Sequence, residues 1–375
     1  MSLIRSQRIV IGMMDGFGME YFDATPLPHI KGLAERGVFK TVGGVYPSVT
    51  NVNNVSIACG AWPEEHGITA NSYFDQASGE ARYMNAAEMI RCETVFRCAA
   101  RQGVKSVLLS AKRKSVELFG GDVEIAVAAE DPPPEYVRRY GQPGEIYSRE
   151  INYWLWEVAV DLLKSRPDIG LIYVHITDYP MHTWAPEERE SREHLETLDR
   201  LIGDAVATAP DAAFLLTADH GMNRKERCWD LSRVCADAGT PVRFALSPER
   251  DYYIKHHRNF TGCAWIWLHE PGDYSRVADT IGRLEGVEEI LTRDEAVARY
   301  HTLPEYIGDL IVNGDRRTMF GEMDGAFEEL PPSYRAHGSM HEMTLPLIIY
   351  NAAGTVPDPA ELQVNKDLTR FLFNT

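Results

Sequence analysis

Short apolar runs, several of them rich in β-branched residues, alternate along the chain with longer segments of helical spacing. Arg8–Met14 (RIVIGMM), Val104–Leu109 (VKSVLL), Gly170–Ile176 (GLIYVHI), Ala212–Thr217 (AAFLLT) and Leu345–Tyr350 (LPLIIY) read as buried strands. Val38–Val45 reads as an edge strand. His29–Gly37, Ala86–Gln102, Ser148–Ser165 and Glu187–Ala207 have helical periodicity, with Trp154, Val158 and Leu162 at the inward positions of the third. Strands alternating with helices predict an α/β fold, a mostly parallel central sheet with helices on both faces. Gly60–Gly67 carries Gly60, Pro63 and Gly67 and reads as a loop. Glu124–Gln142, polar and holding Pro132–Pro134, reads as a surface loop.

From about Thr240 the pattern changes. Pro241–Leu246, Gly262–Leu268, Val287–Leu291 and Gly308–Val312 read as strands, and Tyr274–Leu284 and Arg293–Tyr300 as helices. These short elements predict a small α+β insertion. The expected division is a catalytic core of residues 1–240 and 334–375, with residues 241–333 inserted as a cap. There is no internal repeat and no low-complexity tract.

Chemistry collects where the strands end. The first strand runs into Asp15-Gly16, a later one into Asp178 and His182, and another into Asp219-His220. Each cluster has a bland alternative. Asp before Gly is common in turns, and an Asp/His pair four residues apart is often two surface side chains. That spacing also brings a carboxylate and an imidazole to one face of a helical turn, a donor set that Zn²⁺ takes. In a parallel sheet all such termini open on one edge, where ligands bind, so the shared position of the clusters says more than any one of them. His337, just before the last strand, returns to the same sheet after the insertion. His341 and Glu342 lie near it, and spacing alone does not choose among the three.

Tyr46–Asn54 (YPSVTNVNN) precedes the apolar run Val55–Cys59. Its Ser, Thr and Asn residues suit a helix N-cap. They equally suit an anion-binding helix mouth in which a hydroxyl becomes a nucleophile once a base or a metal activates it. Asn71, in the following loop, offers an amide to an oxyanion or serves as a turn residue. Lys112-Arg113-Lys114 ends the Val104–Leu109 strand: a solvated charge run, or a carboxylate or phosphate docking site if it faces Asp15.

Composition narrows the partners. The 375 residues are 44% hydrophobic and 25% charged, ordinary for a globular chain, and the net charge is -17. So acidic a surface disfavours nucleic acid and anionic membranes. An anionic ligand then needs a local positive site, which a metal cluster supplies. No apolar stretch approaches the ~20 residues of a membrane span. Six scattered cysteines without a C-x-x-C pair, and a short polar start without a signal peptide, fit a cytoplasmic protein.

Taken together, Asp15-Gly16, Pro47-Ser48-Val49-Thr50-Asn51, HGITAN ending at Asn71, Thr177-Asp178 with His182, TADHGMN (Thr217–Asn223), IGDLIVNGD (Ile307–Asp315) and Ala336-His337-Gly338 resemble the alkaline phosphatase superfamily. The likeness is to its nucleotide pyrophosphatase/phosphodiesterase branch and, within it, to the phosphonoacetate hydrolases. It covers nearly the whole chain. The resemblance implies an alkaline phosphatase-like fold and two Zn²⁺ ions. One would be held by Asp15, Asp219, His220 and the Thr50 oxygen, the other by Asp178, His182 and His337. His337 is preferred to His341 because it precedes Gly, as in the family's late motif. The resemblance also makes Thr50 the nucleophile of a phosphothreonine intermediate, places Asn71 on a phosphoryl oxygen, and puts Lys112 and Lys114 on a substrate carboxylate. The implied reaction cleaves the P–C bond of phosphonoacetate to acetate and phosphate. A nucleotide pyrophosphatase or phosphodiesterase with the same metals is the alternative, for which Tyr73, Phe74, Trp154 and Trp184 are candidates for an aromatic slot. A metal-binding module without turnover is a third, which has no use for Thr50. The expected partner is a small phosphonate or phosphodiester, with a homodimer as the assembly to test.

Overall fold

The computed structural model describes residues 3–354 and 356–373. Its main sheet has seven strands: β1 (Ile9–Met13), β2 (Val38–Gly43), β3 (Lys105–Ser110), β4 (Ile125–Ala128), β5 (Ile169–His175), β6 (Ala213–Thr217) and β7 (Thr344–Tyr350), in the order β2-β7-β6-β1-β5-β3-β4. β1, β3, β4, β5 and β6 run parallel, and β7 is antiparallel to both β2 and β6. The central strands are buried along their whole length, as their unbroken apolar runs require when both faces are covered. Helices Glu150–Ser165, Arg189–Thr208 and Pro28–Arg36 pack in sequence against one another, while Thr50–Cys59, Val95–Arg101 and Asp367–Arg370 form a second packed group. The fold is the expected α/β architecture.

Register explains why chemistry meets at one edge. Met13 aligns with His175 on one side and Thr217 on the other, and Ser110 aligns with His175. The ends of four parallel strands are therefore level. Asp15 and Asp219 come two residues past that line, Asp178 three, and Lys112 two. Because β7 is antiparallel, its beginning lies at the same edge, and His337 arrives there through a short pairing of Arg335–Ala336 with Asn223–Arg224.

A second, four-stranded antiparallel sheet combines Phe244–Leu246, Cys263–Trp267, Leu310–Gly314 and Val287–Thr292. Its central strand alternates: Cys263, Trp265 and Trp267 pack with Tyr46, Phe74 and Tyr300, whereas Ala264 and Ile266 pack with Leu231, Val277 and Ile281. A small third sheet joins Arg227–Trp229 to Thr318–Phe320 and Phe327–Glu329. Among the described residues no helix is long and apolar enough to cross a membrane.

Three local expectations need correction. Ala86–Gln102 is not one helix: a short turn at Ala87–Met89 precedes a helix at Val95–Arg101. Thr94 starts that helix afresh, its hydroxyl accepting from Arg97 N–H at 3.1 Å. Glu124–Gln142 is not all loop: β4 pairs with β3, and Pro134 opens a helix to Tyr140, a position where the missing N–H costs nothing. Gly60–Gly67 contains a helical turn, Pro63–His66, closed by Gly67 at φ 91°.

Candidate active site

Thr50 is the first residue of the helix Thr50–Cys59, and no side chain caps that helix. The hydroxyls and amides expected to cap it have other partners. Ser48 Oγ donates to Ser339 O at 2.7 Å, and the Asn53 amide donates to Val45 O at 2.9 Å. Thr50 Oγ1 instead faces Asp15 Oδ1 and His220 Nε2, each at 3.4 Å.

Asp15, Asp219 and His220 bring ligand-type atoms within 4.8 Å of one another, and so do Asp178, His220 and His337, and Asp178, His182 and His256. Gly16, at φ 76°, donates its N–H to Asp219 Oδ1 at 3.0 Å, and a Cβ there would lie 3.0 Å from that of Asp178. Only glycine suits both the backbone angle and the close approach.

Three imidazoles share one orientation. Nδ1 of His182 lies 2.7 Å from Arg335 O, that of His337 lies 2.7 Å from Ser48 O, and that of His220 lies 3.0 Å from Gly221 O. Each ring thus donates Nδ1–H to a carbonyl and turns the Nε2 lone pair inward. The Nε2 atoms of His182 and His337 have no hydrogen-bond partner although they are buried, and neither has Asp219 Oδ2. His182 Nε2 and Asp178 Oδ2 are 2.8 Å apart without hydrogen-bond alignment. Buried polar atoms are rarely left unpaired, and a carbonyl behind a histidine is the usual support of a metal ligand. The donor set therefore fits metal ions.

Electrostatics agree. Among the protein groups alone, burial and then Asp15 push Asp219 well above the usual carboxylate range. Burial and Asp178 act the same way on Asp15, but Lys112, His175 and His220 outweigh them and hold it low. Burial opposes the ionised form of Asp178 too, yet Lys112, His182 and His256 keep it well below the usual range. Burial, helped by His220 and His182, keeps His337 neutral, and burial with His182 brings His256 down to about 3. Neutral imidazoles beside carboxylates are the donor types a cation takes.

Lys112 Nζ sits between the carboxylates, 2.7 Å from Asp15 and 3.4 Å from Asp178. Lys114 forms a buried ion pair with Asp251. Thr50, Asn71, Lys112, Lys114, Glu249, Asp251, Tyr253 and His256 line one narrow cavity of about 10 Å³, room for little more than one water. Asn71 Oδ1 accepts from Asn51 N–H at 3.3 Å, and its amide donates to Glu249 O at 3.3 Å.

Of the residues singled out in the sequence, Thr50, Asn71, Lys112 and Lys114 line this cavity, and Asp15, Asp178, His182, Asp219, His220 and His337 cluster beside Thr50 and Lys112. His341 does not: it pairs at 2.7 Å with Glu288, partly exposed, and Glu342 is buried with Lys225. Arg113 faces outward to Asp131. The proposed aromatic slot is not formed. Trp154 donates to Gly141 O, Phe74 stacks on Phe244, Tyr73 meets Tyr306, and Trp184 carries Arg149. Sequence reasoning missed His256, Glu249 and Asp251, all between the strands Phe244–Leu246 and Cys263–Trp267. The doublet His256-His257 was the available signal.

Residues 9–340 match the family described as type I phosphodiesterase / nucleotide pyrophosphatase. A venom phosphodiesterase of Naja atra is 26% identical over 229 residues, 57% of this chain and 26% of the relative. The bis(5'-adenosyl)-triphosphatase enpp4 of Mus musculus is 27% identical over 263 residues, 64% of this chain and 53% of the relative. The chain therefore spans about a quarter to about half of these relatives. Among solved structures, phosphonoacetate hydrolase from Sinorhizobium meliloti 1021 in complex with phosphonoacetate superposes with a TM-score of 0.88 at 26% identity, covering 98% of this chain and 95% of that one. Murine ectonucleotide pyrophosphatase / phosphodiesterase 5, inactive and in complex with AMP, superposes with a TM-score of 0.69 at 16% identity over 98% and 95% of the two chains, a likeness of fold alone.

Proposed function

The chain belongs to the type I phosphodiesterase / nucleotide pyrophosphatase family, a metal-dependent group of hydrolases, and from that membership we propose that it is a di-zinc phosphonoacetate hydrolase acting through Thr50. The observation that carries this reading is the position of the Thr50 hydroxyl, 3.4 Å from Asp15 and from His220 beside the carboxylate–imidazole clusters, on the same small cavity as Lys112 and Lys114. Asp15, Asp219, His220 and Thr50 Oγ1 are the ligand set for one ion, and Asp178, His182 and His337 for the other, with His256 as an added donor on the Asp178 side. Bound there, the ions supply Lewis-acid charge that favours the Thr50 alkoxide and offsets negative charge on phosphorus oxygens.

Thr50 Oγ1 attacks phosphorus, and the P–C bond breaks with its electron pair on the carbon next to the carboxylate. Delocalisation into that carboxylate makes the carbanion accessible, and Lys112 and Lys114 lie on that side to stabilise the charge as it builds. The carbon takes a proton to give acetate. Water then cleaves the phosphothreonine and releases phosphate, so one water is consumed per turnover. Asn71 holds an equatorial phosphoryl oxygen. Residues 1–240 and 334–375 form the catalytic body in this account, and 241–333 the cap that closes the cavity from above.

A phosphodiester is the second reading, favoured by one contact: Asp251 already neutralises Lys114. A panel on zinc-loaded protein that reads phosphate from phosphonoacetate and nucleoside monophosphate from nucleotide diesters separates them. Phosphonoacetate turnover well above that of nucleotide diesters is expected. Turnover of diesters with none of phosphonoacetate overturns the first reading.

A further inference from the structure

His175 ends β5, level with Met13 of β1 and Ser110 of β3. It is fully buried and has no task in the reaction above. Its ring is turned the opposite way from those of His182, His220 and His337, which give Nδ1–H to backbone carbonyls. Nδ1 of His175 faces three side chains: Ser115 Oγ at 2.8 Å, Ser110 Oγ at 3.2 Å and Asn54 Nδ2 at 3.3 Å. Asn54 Oδ1 accepts from the Tyr173 hydroxyl at 2.7 Å, which turns the Asn54 amide N–H groups toward His175. Ser110 Oγ donates to Lys112 O at 3.0 Å, so Ser115 and Asn54 are the donors to Nδ1. Nδ1 is therefore an acceptor, and Nε2 carries the hydrogen.

That buried Nε2 has no hydrogen-bond partner. Asp15 Oδ2 lies 3.5 Å from it, at the outer limit of hydrogen-bond reach. A lone pair on Nε2 would set two acceptors face to face in the interior. The same Oδ2 accepts from Lys112 Nζ at 2.7 Å. The other oxygen, Oδ1, lies 3.4 Å from Thr50 Oγ1 and 3.5 Å from His220 Nε2. Asp15 thus turns one oxygen to the nucleophile and the ligand cluster, and the other to Lys112 and His175. In the reaction proposed above, Lys112 leaves Asp15 for the carboxylate of the substrate. His175 Nε2–H is the donor that faces Oδ2 once Lys112 has turned away, and closing by about 0.5 Å gives an ordinary bond.

We infer that His175 is a positioning residue: it takes over Asp15 Oδ2 from Lys112, so that Asp15 keeps Oδ1 on its metal ion and beside Thr50 while Lys112 binds the substrate. The inference rests on the reading that Asp15 is a metal ligand and that Lys112 meets a substrate carboxylate. His175 itself touches neither substrate nor ion in this account.

Two measurements test it. In metal-free protein labelled with ¹⁵N-histidine, two-bond ¹⁵N–¹H spectra read the tautomer of each imidazole, with His175 assigned by its loss in His175→Gln. An Nε2–H ring is expected, and an Nδ1–H ring overturns the inference even where other variants fail to fold. Zinc affinity is then measured by chelator competition. In a Lys112→Ala background, where Oδ2 has no ammonium, His175→Leu should weaken one zinc equivalent about tenfold or more, and with Lys112 present by less than about threefold. His175→Gln, whose amide N–H stands in for Nε2–H, should stay within about threefold of Lys112→Ala alone. Equal losses in both backgrounds, no loss in either, or no rescue by Gln overturns the inference, since a merely structural role gives the same loss with and without Lys112. Phosphate release from phosphonoacetate by the unsubstituted zinc-loaded protein is measured alongside. No release, with the tautomer and the zinc dependence as expected, sinks the hydrolytic reading and leaves His175 as the support of Asp15. Release with an Nδ1–H ring at His175 does the reverse.

Discussion

Asp15, Asp219 and Asp178 leave parallel strands whose last residues are level, whereas Glu249, Asp251 and His256 come from the stretch between Leu246 and Cys263, which holds a single four-residue helix, Ile254–His257. The first wall is positioned by a ladder of backbone hydrogen bonds shared with the core. The second is held by individual side-chain contacts, such as Thr261 Oγ1 on the Glu249 N–H and Asn259 Oδ1 on the Asp251 N–H, each at 3.0 Å. A reaction common to a family needs the first kind of support, because metal ligands and nucleophile must keep their geometry. Substrate choice can rest on the second, where a substitution changes a pocket without disturbing the sheet.

The largest effect that separates the walls is expected at Thr50. Thr50→Ala removes the nucleophile and should lower turnover at least about a thousandfold, with zinc content unchanged by elemental analysis. Retained turnover would take Thr50 out of its role. Next come the two contributors to the Asp178 cluster. Asp178→Asn, on the sheet wall, should cost about one metal equivalent. His256→Ala, on the wall between Leu246 and Cys263, should weaken that ion only about tenfold, in line with a supporting group. Equal losses would mean that the stretch between Leu246 and Cys263 contributes as much to the proposed metal site as the strand ends.

The smallest effect concerns the rigidity of the sheet wall. His66 is buried against the helix Thr50–Cys59, its Nε2 2.8 Å from Ser56 Oγ and its Nδ1 accepting from Ile68 N–H at 3.2 Å. Burial pulls its imidazole down to about 3 from an ordinary 6.5. The folded state therefore stays neutral where the unfolded chain takes up a proton. Stability is fully present above about pH 6.5 and falls as pH drops toward 3, by up to about 1.4 kcal/mol per pH unit for this residue. His194, brought to about 3 by burial and then by Arg149, adds a slope of the same sign. Denaturant unfolding between pH 7 and pH 4.5 should show the decline, and His66→Gln should flatten it. An unchanged slope would mean that His66 does not stay neutral in the fold.

The same division governs what could be read from the sequence. Buried parallel strands announce themselves as apolar runs, so Asp15, Asp178 and Asp219 were visible as residues just past strand ends, and the sheet brought them together. Thr50 was visible as a hydroxyl at a helix mouth, although only the structure shows that it caps nothing. Short or partly exposed elements were less legible. Strand Ile125–Ala128 lies at the sheet edge next to three prolines, and the Thr94 cap splits what periodicity alone joins into one helix. Glu249 and His256 carry no periodic signal at all, since they lie in a stretch with a single four-residue helix and are held by individual side-chain contacts. Lys112 and Lys114 were legible as a charge run, but their carboxylate partners belong to other elements and could not be.

The most direct measurement is anomalous scattering at the zinc edge from crystals of zinc-loaded protein. Two peaks are predicted, one among Asp15, Asp219, His220 and Thr50 Oγ1, the other among Asp178, His182 and His337. A single peak, or zinc bound elsewhere on the chain, would contradict the bimetallic site on which the proposed hydrolysis depends.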